Sequence, residues 1–268
     1  MIDEAVGAAV AVASSYGLRA DPEVLKDGAN TLVRLGPVVA RVATETARAR
    51  AGVRAWIERD IRVARHVASR GVRATRPAVD PPAGPHFHAG FTLAFWDFEP
   101  HSPDAPVDPV DFAVELAALH DAMTGLDLSD CRGPAGDLVA ILPGLDLPDR
   151  LRAEASALAS AVAQFPARPL HGDAHPGNVL VTGAGLVWND FEDAWQGPLG
   201  WDLACLRLTG RLDGEAAVRA YPGAVDAEEL EVCTRFRELY AAVWVAFRAQ
   251  KSPEWQPEAT RRLARWLD

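Results

Sequence analysis

The segment from 171 to 202, HGDAHPGNVLVTGAGLVWNDFEDAWQGPLGWD, constrains this chain more than any other part of it. Its two short apolar runs flank a glycine-containing turn at 183–185, which predicts a β-hairpin. Asp173 and Asn178 precede the first run and lie five residues apart, and Asp190 follows the second run. Because a hairpin brings the residue after its second strand close to the loop before its first, we expect these three side chains to converge.

Two carboxylates and an amide oxygen are hard ligands of the kind that Mg²⁺ prefers. A carboxylate that does not bind the metal can accept a proton from a substrate hydroxyl. Phosphoryl transfer needs this combination, a metal on the phosphates and a base at the nucleophile. Asp and Asn are also common turn formers, which is the plain interpretation of each residue alone. Their joint spacing favours the chemical interpretation.

The same segment resembles the catalytic core of the aminoglycoside phosphotransferase/choline kinase family, which are small-molecule kinases with the protein-kinase fold. The family pattern is H-G-D-x-H-x-x-N, a hairpin, D-[FW]-E, and then G-P-x-x-[WY]-D-L-A. This chain has HGDAHPGN at 171–178, DFE at 190–192 and GPLGWDLA at 197–204. The resemblance extends over most of the chain, but in the N-terminal third it is one of pattern only.

The resemblance implies a role for each matching residue. Asp173 would be the catalytic base, or the group that orients the acceptor hydroxyl. Asn178 and Asp190 would hold Mg²⁺. His171 would brace the loop, and Asp202 would hydrogen-bond the loop backbone.

In the N-terminal third, the resemblance implies a loop over the nucleotide phosphates at 27–31, with Asn30 and Thr31 as contacts and backbone N–H groups as donors. Arg41 stands where the family has a phosphate-anchoring lysine. A guanidinium can carry that charge and bond phosphate with two donors. The nucleotide is expected near the linker between the lobes, with Phe98 as a further contact.

The family also has a glutamate that pairs with this basic residue. Counting back from Gly71, its position falls at Asp60, whereas Glu58 lies two residues away on a different face of the predicted helix. We expect Asp60 to be the partner. Its side chain is one methylene shorter than glutamate, which predicts a looser ion pair.

Three polar residues of the segment, His171, His175 and Glu192, have alternative interpretations. His171 and His175 suggest a zinc site, but Gly172 between them and a Pro-Gly pair after them exclude a helical H-E-x-x-H arrangement, and no third ligand is near in sequence. Glu192 has two possible roles in the sequence, as a contact to a second metal or as a structural residue.

The expected fold class is α+β. It is a two-lobed protein-kinase-like fold, with a small sheet-containing nucleotide-binding lobe at 1–96 and a mainly helical catalytic and substrate lobe at 97–268. Four prolines between 100 and 109 break regular structure near this boundary.

Local patterns predict the elements within each lobe. β-branched runs on both sides of Gly36 predict a hairpin at 31–42, and 91–98 is a predicted strand. Apolar residues at helical spacing predict an amphipathic helix over 48–70, with Gly71 as its C-cap. Other predicted helices cover the N-terminal run, 112–123, 151–165, 203–208, 215–221, 228–249 and 257–267.

Composition bounds the partners and the compartment. The chain has 27 Lys+Arg and 37 Asp+Glu, a formal net charge of −10, which argues against a nucleic-acid partner. This charge is compatible with a cationic small molecule, although solubility explains it equally well.

Three cysteines without short spacing fit a reducing cytoplasm. The N-terminal apolar run follows Asp3 and Glu4 and is too short for a membrane span. We therefore expect a cytoplasmic monomer or dimer without a membrane partner.

The predicted function is an ATP-dependent phosphotransferase that acts on a hydroxyl-bearing small molecule, an aminoglycoside-like antibiotic or a small metabolite, with Mg²⁺ as cofactor. GTP is an alternative donor. Because Arg41 and Asp60 depart from the family pattern, a nucleotide-binding pseudokinase without transfer activity is the alternative function. A metal-dependent hydrolase, with water as nucleophile, is a further alternative.

Overall fold

The computed structural model of the chain describes residues 1–50 and 52–267. Ala51, inside the predicted helix over 48–70, and Asp268, at the end of the predicted second lobe, lie outside the described residues.

The strands, in chain order, are β1 (Pro22–Asp27), β2 (Asn30–Leu35), β3 (Val38–Ala43), β4 (His86–His88), β5 (Phe91–Asp97), β6 (Arg168–Leu170), β7 (Val179–Thr182), β8 (Gly185–Trp188) and β9 (Trp195–Gly197). The helices, in chain order, are α1 (Ile2–Ser15), α2 (Glu45–Ala49), α3 (Val53–Ser69), α4 (Pro109–Met123), α5 (Gly133–Ile141), α6 (Asp149–Val162), α7 (Leu199–Arg207), α8 (Gly214–Ala220), α9 (Ala227–Ala249) and α10 (Gln256–Leu267).

The chain divides into two compact units. The first comprises Met1–Ala105 with Asn178–Asp193, and the second comprises Pro106–Gly177 with Ala194–Asp268. This division places the β7–β8 hairpin in the first unit. The lobe boundaries expected from the sequence, 1–96 and 97–268, stay a prediction.

The first unit is built on an antiparallel sheet. Within the described residues, β1 to β5 form one sheet in the order β1-β2-β3-β5-β4, so that β3 is its central strand. Leu35 of β2 pairs with Val38 of β3 across a two-residue turn. Gly36 in that turn has a φ of 60°, a left-handed conformation that glycine adopts without a steric penalty. The predicted hairpin at 31–42 is confirmed.

Helix α1 supplies part of the hydrophobic core of this unit. Its small apolar residues recur at helical spacing and pack in one cluster with the inward side chains of the sheet. On the helix these residues are Ala5, Ala8, Ala9, Val12 and Ala13, and on the sheet Val33, Leu35, Val38, Ala40, Val42, Leu93 and Phe95.

The helix predicted over 48–70 begins later than expected. Gly52 has a φ of 74°, and helix α3 begins only at Val53, after the separate short helix α2. The left-handed glycine interrupts the helical path, so the predicted start was wrong. Gly71, with a φ of 88°, follows the end of α3, as the C-cap prediction requires. Helix α3 contacts the short 3₁₀ turn at Phe191–Asp193.

The second unit is mainly helical. Its longest helix, α9, contacts α5, α6, α7 and α10. The ring of Trp201 on α7 lies 5.6 Å from the rings of both Phe236 and Tyr240, which are one turn apart on α9. This aromatic packing fixes α7 against α9 and so positions the polar residues that both helices carry.

Some elements were not predicted, among them strand β1, helix α5 and the short strands β4 and β9. Strand β1 is exposed along its whole length and lacks the alternation that marks a half-buried strand. Helix α5 begins with Gly133-Pro134, a pair that reads as a turn, although proline fits the first turn of a helix because no N–H is needed there. Among the described residues, no helix is long and apolar enough to cross a membrane.

Candidate active site

Arg41 is the centre of a buried ionic cluster in the first unit. Its Nη1 lies 2.6 Å from Asp60 Oδ2, and its Nη2 lies 2.7 Å from Asp190 Oδ1 and 2.6 Å from Glu192 Oε2. Burial alone would lower the pKa of Arg41, but these three carboxylates outweigh it and raise the pKa above its ordinary value. The guanidinium is therefore a fixed positive charge that joins β3, α3 and the segment after β8.

The structure pairs Arg41 with Asp60 and not with Glu58. Asp60 is almost fully buried, and its Oδ1 accepts a hydrogen bond of 2.9 Å from the Phe191 backbone N–H. Burial raises the pKa of Asp60 to about 6, and the charge of Arg41 only partly opposes this rise. Glu58 is half-exposed and instead accepts a hydrogen bond from Arg54. The looser ion pair expected for aspartate is wrong, because the donor–acceptor distance is 2.6 Å.

Asn178 and Asp190 stand at the open end of the β7–β8 hairpin. Asn178 directly precedes β7, and its carbonyl oxygen accepts a hydrogen bond of 3.0 Å from the Asn189 backbone N–H. Asp190 follows with a φ of 66°, a left-handed conformation that costs a non-glycine residue about 1 kcal/mol or more. The Asp190 side chain is 35% exposed. A carboxylate and a carboxamide at this place supply oxygen ligands, so the residues present fit a Mg²⁺ ion.

The other residues predicted to contact a nucleotide lie around the same strands. With its amide oriented by the donors around it, Asn30 presents its oxygen to Arg41 Nη2 at 2.8 Å. Thr31 is fully buried, and its hydroxyl donates to Asp27 Oδ1 at 3.2 Å. Phe98 follows β5, and its ring lies 3.8 Å from the guanidinium carbon of Arg34. The predicted loop at 27–31 is a tight turn between β1 and β2.

Sequence reasoning missed the residues that support the turn at 191–193. Arg50 bonds the carboxylates of Glu192 and Asp193, and its guanidinium stacks on the ring of Trp56 at 3.8 Å. Arg59 donates to the Glu192 carbonyl oxygen at 2.9 Å. Burial raises the pKa of Glu192 to about 8, although both Arg41 and Arg50 oppose this rise. Glu192 is thus a buried carboxylate of the ionic cluster around Arg41, and it also contacts Arg50.

In the second unit, Asp202 organises the loop that carries Asp173. Its Oδ2 accepts from the His171 N–H at 2.8 Å, and its Oδ1 accepts from the Gly172 N–H at 2.9 Å. Oδ2 also lies 2.9 Å from His120 Nε2. The implied structural role of Asp202 is confirmed. His171 is fully buried, and its Nδ1 accepts from the Asp173 N–H at 3.3 Å, as a bracing residue would.

Asp173 is held by two side chains that the sequence did not reveal as its partners. Arg237 Nη2 on α9 donates to Oδ1 at 2.7 Å, and His175 Nε2 lies 3.3 Å from Oδ2. His175 Nδ1 accepts from the Gly177 N–H at 2.9 Å, so the proton of a neutral ring resides on Nε2 and points to Asp173. Burial alone would raise the pKa of Asp173, but His175 and Arg237 hold it well below its usual range.

Comparison with known proteins places this chain among phosphotransferases. The model of the phosphotransferase enzyme family (APH) matches residues 24–239. A choline/ethanolamine kinase family protein from Mesorhizobium loti is similar in structure, with a TM-score of 0.67 and 21% sequence identity over 99% of this chain and 93% of that one. A comparison with curated proteins found no match.

Two other solved structures are similar. Amicoumacin kinase hAmiN, in complex with AMP-PNP, Ca²⁺ and Ami, has a TM-score of 0.70 and 13% identity over 94% of this chain and 91% of that one. An aminoglycoside-3′-phosphotransferase of type VIII has a TM-score of 0.63 and 20% identity over 89% of this chain and 98% of that one. These similarities confirm the predicted α+β, protein-kinase-like fold class.

The chain belongs to the phosphotransferase enzyme family, because the family model covers most of its length. The predicted enzyme class, a phosphotransferase with an alcohol group as acceptor, is confirmed by this membership. The protein is thus a small-molecule phosphotransferase.

Proposed function

We propose that this protein transfers the γ-phosphate of ATP to a hydroxyl group of a small molecule, with Mg²⁺ as the metal. One observation carries the proposal. The guanidinium of Arg41, on the central strand of the sheet, bonds at once to Asp60 of α3 and to Asp190 after β8. This arrangement supports a phosphate-anchoring cation with an acidic partner on a helix and a metal-binding aspartate beside it.

Arg41 would anchor the nucleotide phosphates, with phosphate oxygens replacing carboxylate oxygens that its Nη2 group now contacts. Asn30 contacts the same guanidinium and would hold its orientation. The turn between β1 and β2 at 28–29 would offer backbone N–H groups to the phosphates.

Asn178 and Asp190 would hold Mg²⁺ through their side-chain oxygens, with phosphate oxygens and water as the remaining ligands. When bound, Mg²⁺ neutralises negative charge on the phosphoryl group during transfer. The presence of AMP-PNP and Ca²⁺ in the amicoumacin kinase structure supports the pairing of a nucleotide with a divalent cation.

Asp173 would act on the acceptor. In the transfer, the hydroxyl oxygen forms a bond to the γ-phosphorus, the bond from that phosphorus to the β–γ bridging oxygen breaks, and the electron pair remains on ADP. Asp173 accepts a hydrogen bond from the hydroxyl, orients the oxygen and receives its proton, which then passes to water. Because the pKa of Asp173 lies below its usual range, its carboxylate is ionised at neutral pH, and orientation is the larger part of its role.

The test is release of ADP from ATP by the purified protein across a panel of hydroxylated acceptors. The panel comprises aminoglycosides, macrolides, choline, homoserine, thiamine, sugars, sugar acids and amino sugars. We expect one class to stimulate ADP release in the presence of Mg²⁺ and to gain a phosphate detectable by mass spectrometry. Reactions without Mg²⁺ and with GTP in place of ATP serve as controls.

The same samples test the alternatives. Stabilisation by ATP without ADP release in any reaction would favour a nucleotide-binding pseudokinase. Release of phosphate from substrates without a nucleotide would favour a hydrolase. Either result contradicts the proposed transfer.

A further inference from the structure

A cavity of about 400 Å³ opens in the second unit, and two of its wall residues are the partners of Asp173. His175 and Arg237 line this cavity and contact the two carboxylate oxygens of Asp173. The rest of its wall comes from the loop after α7, from α9 and from α10. Because the cavity adjoins the residue that would orient the acceptor hydroxyl, it is the place in this unit where the body of an acceptor would bind.

The wall of this cavity is strongly basic. Its charged residues, apart from His175, are five arginines and one glutamate. The arginines are Arg211, Arg237, Arg261, Arg262 and Arg265, and the glutamate is Glu238.

Neighbouring carboxylates neutralise only part of this charge. Asp173 pairs with Arg237, Glu258 pairs with both Arg261 and Arg262, and Glu238 pairs with Arg265. Within the part of the chain that the structure describes, five guanidinium groups against three carboxylates leave an excess of positive charge. Among the described residues, the Arg211 guanidinium has no ion-pair partner. The cavity is therefore basic although the chain as a whole carries a formal net charge of −10.

A concave wall with an excess of one charge raises the local concentration of ligands of the opposite charge. Guanidinium groups bond carboxylate, phosphate and sulfate oxygens with paired donors. An amine-bearing acceptor would instead place a cation among arginines and would bind more weakly. Trp266 in the same wall adds aromatic surface for the apolar part of a ligand.

We propose that the acceptor is a hydroxylated anion, a molecule that carries a carboxylate or phosphate group as well as the hydroxyl that is phosphorylated. This inference rests on the proposed function, because it assigns the cavity to the acceptor. It reverses the suggestion of a cationic acceptor from the overall charge, since binding depends on the local wall and not on the net charge of the chain.

The test is direct binding of charge-matched probes by titration calorimetry, with Mg²⁺ and AMP-PNP present so that the nucleotide phosphate site is filled. Glucose 6-phosphate, glucuronate, glucose and glucosamine share a hexose ring and differ in charge. We expect the phosphate ester, the carboxylate or both to bind about tenfold more tightly than the neutral sugar and the amino sugar. The comparison of ester with carboxylate distinguishes the two anion sources.

A matched set of variants locates the binding. Arg211→Gln combined with Arg262→Gln and Arg265→Gln removes charge from two walls of the cavity and should abolish the preference for anions. Arg235→Gln is the control: Arg235 lies on α9, is about as exposed as Arg265, pairs with Glu154, and is not in the wall as the structure describes it. This control should bind all four sugars as the wild type does.

Equal binding of the four sugars, tighter binding of glucosamine, or no measurable binding of either anion would overturn the proposal. An anion preference that survives in the triple variant would also overturn it. None of these measurements requires phosphate transfer. Failure of the charge preference is therefore distinct from failure of the proposed function, which would appear as loss of acceptor-stimulated ADP release.

Discussion

Arg41 on β3 and Asp60 on α3 form a buried ion pair, with 2.6 Å between Nη1 and Oδ2. The second arm of the same guanidinium reaches Asp190, 2.7 Å away. A lysine at this position would offer a single ammonium group, whereas the arginine fork holds two carboxylates at fixed angles. Under the proposed function, Arg41 would thus take the place of the lysine of the family pattern.

Asp60→Asn should lower kcat/KM for the nucleotide about 10- to 100-fold, because Arg41 loses one of the carboxylates that fix its orientation. Steady-state kinetics with varied nucleotide measure the effect. Glu58→Gln is the matched control two residues away. It removes only an exposed ion pair to Arg54, worth about 0.3–0.5 kcal/mol of folding stability, and should leave the kinetics unchanged. Equal losses in the two variants would contradict the pairing.

Asp190→Asn should raise the Mg²⁺ concentration required for half-maximal activity about tenfold or more, because a neutral amide is a weaker ligand than a carboxylate. A Mg²⁺ titration at saturating nucleotide measures the shift. Asp193→Asn serves as control, because Asp193 lies close by in the sequence, in the turn at Phe191–Asp193, and pairs with Arg50. It should alter stability but not the Mg²⁺ requirement, and an unchanged requirement in Asp190→Asn would exclude that residue as a ligand.

Asp202→Asn should reduce the free energy of unfolding by about 2 kcal/mol or more, because one of its two backbone donors would face an amide N–H₂ in place of an oxygen. Urea denaturation measures this loss. Asp226→Asn is the control, because Asp226 caps α9 through a hydrogen bond to the Glu229 N–H and asparagine caps helices equally well. If both variants unfold at the same urea concentration, Asp202 does not hold the loop.

Arg237→Gln should move the pKa of Asp173 towards its ordinary value, because that arginine helps to hold it low. The acid limb of the kcat–pH profile should then shift to higher pH, with the Arg235→Gln profile as reference.

The folded pKa of Asp173 lies below the unfolded value of about 3.9. Its ion pairs therefore contribute stability in full at neutral pH, and this contribution is lost as the pH falls below that value. An acid limb that stays at the wild-type pH would contradict this prediction.

The sequence predicted local features that lie in short contiguous motifs. Asn178 and Asp190 flank the β7–β8 hairpin as the spacing indicated, and Asp202 bonds the backbone of His171 and Gly172 as the resemblance implied. Counting back from Gly71 to the family's glutamate position favoured Asp60 over Glu58, and the structure has the Arg41–Asp60 pair.

The remaining features depend on tertiary packing. Arg237 contacts Asp173 across 64 residues of sequence, and nothing in the composition of α9 distinguishes it from Arg235. The basic cavity wall combines arginines from a loop and two helices, each of which looks like an ordinary solvated surface residue in the sequence. The net charge of the chain is negative, opposite in sign to the charge of this wall, because it sums over all residues.

The most direct test of the central claim compares nucleotide binding and phosphate transfer in wild type and Asp173→Asn. Differential scanning fluorimetry with Mg²⁺ and ATP reports nucleotide binding, and ADP release with a stimulating acceptor reports transfer. The account predicts the same ATP-induced rise in Tm in both proteins and a loss of ADP release of about a thousandfold in the variant. Equal rates of ADP release in the two proteins would contradict it.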